Sequence, residues 1–194
     1  MYNVLVKIVK VFLKTFFRVE ITGEENIPKD GGCIVCANHI SNWDPVFLVV
    51  FLTRRVYFLA KEELFSVPFV GWLMKKLEMI PVKRNGNDIS AVKSSLTVLK
   101  QEKALGIFPS GRRMKKGEKP TAKAGVALIA VKAAVPVIPI YIDATYRIFS
   151  KVTIHIGEKV DFAEYNKAKL PTEVLTEISN DLFDKIYSLL GDKK

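Results

Sequence analysis

The sequence predicts one α/β domain: a central mixed sheet of about seven strands flanked by helices, preceded by an amphipathic helical segment. Three observations predict it. Short apolar runs of strand length alternate with longer stretches whose apolar residues recur at helical spacing. A chain of 194 residues suits a single domain with its own core. A composition of 49% hydrophobic and 26% charged residues belongs to a folded chain, and no internal repeat or low-complexity linker divides it.

Residues 1–17 read MYNVLVKIVKVFLKTFF. Lys7, Lys10 and Lys14 interrupt the apolar run and no small-residue cleavage site follows, so a cleavable signal is not expected. The run is also too broken for an ordinary spanning helix. Spaced three and four apart, the lysines share one helix face, while Val4, Leu5, Ile8, Val11, Phe12 and Phe16 cover much of the remainder. Two placements fit: a helix lying in a membrane interface with its lysines at the headgroups, or an amphipathic helix docked on its own domain. The wide apolar face, with Phe12, Phe16 and Phe17, favours the first. The α/β domain then occupies residues 18–194.

Strands are expected at Arg18–Ile21, Ile34–Ala37, Val56–Ala60, Ile80–Val82, Ile107–Pro109, Val137–Tyr141 and Val152–Ile156. Helices are expected at Pro45–Thr53, Asp88–Lys103, Ala122–Ala134 and Thr172–Leu190. The second places Val92, Leu96 and Leu99 on one face, with Gly106 after its end. The third is almost wholly apolar and should be buried. The last carries Leu175, Ile178, Leu182, Ile186 and Leu189 on one stripe. Cys33 and Cys36 form a C-x-x-C, but in a strand they point to opposite faces and read as structural thiols of a reducing compartment.

The formal charge of +10 attracts nucleic acid, an anionic membrane surface, or acidic substrates and carriers. Nucleic acid is not expected as a partner, because no recognised motif is present and the basic residues are not interleaved with stacking aromatics. Six basic residues do cluster in the polar stretch SGRRMKKGEKPTAKAG, residues 110 to 125. Long irregular loops of this kind are usually functional or disordered.

The other unusual stretch is CANHISNWDPVF. On one helix, His39 and Asp44 would lie about 140° apart and could not meet. A strand ending near Ala37, a turn through NHISNW, and Asp44-Pro45 opening a helix as cap and first residue would bring them together. The same residues also fit plain punctuation between a strand and a helix.

Asn38, His39 and Asp44 match an N-H-x-x-x-x-D motif. KEELFSVPFVGW and IPVKR, FPSGRR, and VPVIPI follow in order between residues 61 and 140. By these blocks the chain resembles the glycerolipid acyltransferase family, whose best-known members are the 1-acylglycerol-3-phosphate acyltransferases. The resemblance implies transfer of a fatty acyl group from acyl-CoA or acyl carrier protein to the sn-2 hydroxyl of 1-acylglycerol 3-phosphate. Phosphatidic acid would be the product, and the expected location is the cytoplasmic face of the cell membrane, as a peripheral or monotopic protein. His39 would be the general base and Asp44 its orienting acid. Arg84, Arg112 and Arg113 would meet the acceptor's phosphate, with Lys61 a further candidate and Gly111 opening backbone N–H groups to the anion. No cofactor and no metal are implied. One position departs from the family: Ser110 stands where F-P-E-G-T-R has glutamate, and a hydroxyl cannot supply a carboxylate's charge. A catalytically impaired relative that binds lipid or phosphate is the alternative this raises.

Overall fold

The computed structural model describes residues 2–82, 89–114, 118, 122–162, 165 and 170–191. Among them, seven strands form one sheet in the order β1-β7-β6-β2-β5-β3-β4. They are β1 Arg18–Thr22, β2 Cys33–Ala37, β3 Val56–Lys61, β4 Ile80–Val82, β5 Ala104–Ile107, β6 Val137–Ala144 and β7 Lys151–Ile156. Neighbours are parallel except β6 and β7, which run antiparallel, so the sheet is mixed as predicted. Because β2, β3, β5 and β6 share one direction, the chain leaves all four at the same edge. In open α/β sheets that carboxyl-end edge is where ligands bind.

Helices cover both faces. α1 Tyr2–Phe16, α2 Asp44–Phe51 and α3 Val70–Lys76 lie on one; α4 Ile89–Lys100, α5 Gly125–Ala133 and α6 Thr172–Ser188 lie on the other. The first core packs Leu13, Phe47 and Phe51 against Val35, Ile140 and Ile154. The second packs Leu99, Val126, Ala130 and Leu182 against Ile34, Leu105 and Val137. Strand alternation sends Cys33 to the first core and Cys36 to the second. Both thiols are free and buried, and burial pushes both above the usual thiol value, which leaves them inert.

α1 takes the second placement its sequence allowed, docked on its own domain, and leaves part of its apolar face uncovered. It docks through Leu13, fully buried, with Leu5, Val6 and Val9 against the first core. A second apolar stripe, Val4, Ile8, Val11 and Phe12, stays between 56% and 68% exposed. Lys7 and Lys14 are exposed, and Lys10 leans over the Phe51 ring at 5.4 Å. No helix of the described residues is long and apolar enough to cross a membrane.

Three local features differ from expectation. β5 is Ala104–Ile107 and not Ile107–Pro109, because α4 ends at Lys100 and Glu102, at φ 57, turns the chain early. Gly106 is no helix stop; it lies inside β5 beneath the Phe58 ring, which a Cβ would approach to 2.2 Å. Residues 62–76 hold a 3-10 helix, Glu62–Ser66, and then α3. Their apolar residues face outward as well as inward, so no one-sided stripe announces a helix.

Candidate active site

The site grows from the end of β2. Asn38, 1% exposed, extends the strand with its side chain: Oδ1 accepts the Ile142 N–H at 2.7 Å and Nδ2 donates to the Ile142 carbonyl at 3.0 Å. Both backbone groups of that β6 residue are thereby satisfied. The end of β2 is pinned, and the chain turns.

His39 follows. Its Nδ1 donates to Asp44 Oδ2 at 2.7 Å, and the same oxygen accepts the N–H groups of Ile40 at 2.7 Å and Ser41 at 2.8 Å. The turn folds the carboxylate back toward the imidazole, as the motif requires. Asp44 does not cap the helix, however. Trp43 holds the cap position, and Asp44 is the first residue of α2 with its carboxylate bonded to N–H groups behind it. The carboxylate is fully buried, a costly placement unless it is hydrogen-bonded throughout. Its other oxygen, Oδ1, accepts the hydroxyl of Tyr146 at 2.6 Å. Burial and the adjoining Asp44 charge push that hydroxyl well above the usual phenol range, so it remains a donor.

Since a carboxylate only accepts, Nδ1 carries the proton and Nε2 is left as the acceptor. The ring plane is fixed from the core outward. Phe108 stacks on His39 at 4.1 Å and 14°, Phe58 stacks on Phe108 at 5.3 Å, and Phe58 rests on Gly106. Met114 N–H donates to the His39 carbonyl at 2.7 Å, tying the segment after β5 to the segment after β2.

That second segment holds the altered motif. Gly111, at φ 64, closes a turn by donating its N–H to the Phe108 carbonyl at 2.9 Å. Ser110 is 5% exposed, and its hydroxyl donates to the Arg112 carbonyl at 2.6 Å. It shapes the turn and brings no charge. Arg112 is exposed and forks onto Glu118, with Nη1 to Oε2 at 3.0 Å and Nη2 to Oε1. Arg113 is exposed beside it, and Lys61, also exposed, ends β3 at the same sheet edge. Arg84 lies outside the described residues. The expected phosphate-binding groups that are described therefore gather at the dyad's edge, with Arg112 already engaged by a carboxylate. Among the described residues, no group of three or more His, Cys, Asp or Glu is placed to hold a metal ion.

The α1 residues singled out by sequence reach this edge at one end. Phe16 accepts the Phe149 N–H at 2.7 Å through its carbonyl, and the two rings lie 6.4 Å apart. His155 sits on β7 with Nδ1 at 3.1 Å from Thr22 Oγ1, a strand-to-strand contact apart from the dyad. Two contributors escaped the sequence. Phe108 was visible as a motif letter but not as a stacking partner, and Tyr146, 102 residues from Asp44, carries no local signal. Only the pairing of β2 with β6 brings it near.

A model of the acyltransferase family matches residues 18–143, a span that begins at β1 and takes in the dyad, the basic turn and most of β6. The chain belongs to that family. Its relatives carry a narrower name. The 1-acyl-sn-glycerol-3-phosphate acyltransferase of Bacillus subtilis is 31% identical over 97% of this chain and 100% of its own length. The corresponding protein of Borreliella burgdorferi is 28% identical over 85% of this chain and 72% of its own length. The crystal structure of the 1-acyl-sn-glycerophosphate (LPA) acyltransferase of Thermotoga maritima superposes with a TM-score of 0.74 at 28% identity, covering 100% of this chain and 83% of that one.

Proposed function

We propose that the protein transfers a fatty acyl group from an acyl thioester, on coenzyme A or acyl carrier protein, to the sn-2 hydroxyl of 1-acylglycerol 3-phosphate, giving phosphatidic acid. The observation that carries the reading is the 2.7 Å bond from His39 Nδ1 to a fully buried Asp44, which leaves Nε2 to take a proton. As the acceptor hydroxyl attacks the thioester carbonyl, a C–O bond forms and the hydroxyl proton passes to Nε2. Asp44 stabilises the imidazolium that develops. Collapse of the tetrahedral adduct breaks the C–S bond, and the thiolate leaves with the proton returned by His39. The acceptor itself is the nucleophile, so no serine or cysteine nucleophile is needed. Lys61, Arg112 and Arg113 supply the positive edge for its phosphate, which would replace Glu118 on the Arg112 fork.

The exposed stripe of α1 supports residence at an anionic membrane surface, which we assign to the cytoplasmic face of the cell membrane. Ser110 motivates a second reading, a relative that binds lysophosphatidic acid without turnover. One assay separates them. Acyl transfer is measured with both donors for the wild-type protein, His39→Ala and Ser110→Glu. The first reading expects wild-type turnover, reduced roughly 10²–10⁴-fold in His39→Ala. A wild-type protein that binds the acceptor but turns over only as Ser110→Glu establishes the second. Near wild-type transfer by folded His39→Ala removes His39 as the base.

A further inference from the structure

Two exposed aromatic tips flank the dyad at its own sheet edge. Beyond β3, the 3-10 helix leads to Phe69, 74% exposed; beyond β6, the connection to β7 carries Phe149, 68% exposed. In the strand order β6 lies on one side of β2 and β3 on the other, so the tips stand on opposite sides of His39 and Asp44. Both phenylalanines hold left-handed backbone conformations, φ 63 and φ 64, where a bulky residue is an outlier. At Phe69 the chain makes a γ-turn of the rare, strained hand, φ 63 and ψ −51, closed by Val70 N–H on the Pro68 carbonyl at 2.7 Å. Glycine would adopt either conformation with less strain. Core packing does not account for a phenylalanine at either place, since both rings face solvent. Strain of this kind gathers at functional positions.

Each tip has apolar company. Trp72, 50% exposed, stacks with Phe69 at 6.1 Å, and Leu64, Val67 and Val70 are 36–43% exposed nearby in the chain. Ile148, 67% exposed, adjoins Phe149, which continues through Phe16 to Phe12 on the exposed stripe of α1. The surrounding charge is positive on balance. Along the chain beside the first tip, Lys61, Lys75 and Lys76 outnumber Glu62 and Glu63, while Glu78 is paired with Arg55; beside the second stand Lys14, Arg18 and Arg147, where Lys151 pairs with Glu20. Rings at headgroup depth with lysine and arginine beside them are the chemistry of an anionic lipid interface.

We propose that this edge docks on an anionic bilayer, with Phe69–Trp72 and Ile148–Phe149 inserted as two wedges either side of the dyad. The acceptor hydroxyl then reaches His39 from the lipid plane between them. The inference rests on the lysophospholipid reading of the site and extends the lipid contact from α1 to two further segments.

Trp43 and Trp72 are the two tryptophans of the sequence, so Trp43→Phe leaves Trp72 as sole reporter. Mixed with phosphatidylglycerol–phosphatidylcholine vesicles carrying lipids brominated high on the acyl chain, Trp72 emission is expected to shift blue and to be quenched. Phe69→Gly/Phe149→Gly removes both rings and relieves both backbone outliers, so the variant should stay folded. Its vesicle affinity is expected to fall roughly tenfold or more, and acyl transfer to vesicle-embedded acceptor should fall with it. Unquenched Trp72 on bound protein, unchanged affinity of the double variant, or a dimer in sedimentation that shields Trp72 each overturns the wedges, with wild-type acyl transfer still intact. Quenched Trp72 without any acyl transfer upholds the docking and sinks the reaction instead.

Discussion

Asp44 shows how much one residue can be asked to do. Its carboxylate is fully buried and accepts four hydrogen bonds, from His39, Ile40, Ser41 and Tyr146. Three converge on Oδ2, while Tyr146 is the partner of Oδ1. Tyr146 thus sets the rotation of the carboxylate and acts through Asp44; it is a positioning residue. Tyr146→Phe should lower kcat about tenfold with little change in KM, and cost about 1–3 kcal/mol of stability in urea titrations, the range for stranding a buried acceptor. The hydroxyl's pKa is raised on folding from its reference of 10.0. The stability tied to its proton is therefore complete below that value and is lost as the pH climbs above it. The variant should lose less stability on going alkaline than the wild-type protein does. The dyad was legible from sequence because its members fall in one N-H-x-x-x-x-D motif, which a single local turn folds together. Tyr146 was not, because strand pairing alone delivers it.

At the scale of elements, the imidazole is held by a column that starts in a strand. Gly106 of β5 admits Phe58 of β3, Phe58 carries Phe108, and Phe108 carries His39. A methyl at residue 106 would sit 2.2 Å from the Phe58 ring, so the ring must move and its neighbours with it. Gly106→Ala should cost about 1–3 kcal/mol by overpacking and reduce kcat, although residue 106 touches no part of the dyad. Gly125→Ala, where an added Cβ meets nothing within 4 Å, is the control and should leave both nearly unchanged. Equal kcat in the two variants would show that the stack does not orient the imidazole. Sequence placed seven strands in the right order along the chain because apolar runs betray buried strands. It misplaced β5 and missed α3 where that rule fails. The glycine of β5 looks like a helix stop, and α3 turns Val70 and Trp72 to solvent.

For the whole molecule, the parallel strands and the charge act together. β2, β3 and β5 deliver the dyad, Lys61 and the basic turn to one edge, and β6 adds Tyr146 and the Phe149 tip. The alternation of strand and helix made this α/β plan readable, but the exposure of the tips and the Arg112–Glu118 fork depend on loop conformations that no periodicity encodes. The net charge of +10 gives the proposed docking on lipid two components with different responses to salt. Attraction between lysine or arginine and anionic headgroups is screened as the Debye length contracts from ~10 Å at 0.1 M to ~3 Å at 1 M salt. Burial of Phe69, Trp72, Phe149 and the α1 stripe is not screened. Capture by anionic vesicles in flotation should therefore fall steeply between these ionic strengths and level off above zero. Capture by zwitterionic vesicles should start near that residual level and change little. With a short-chain, water-soluble acceptor at saturation, kcat should track neither curve, because the Asp44 carboxylate that orients His39 is buried and weakly screened. KM for that acceptor should rise with salt, because Lys61, Arg112 and Arg113 are exposed. Capture indifferent to salt on anionic vesicles would mean that the basic residues around the dyad edge face away from the lipid.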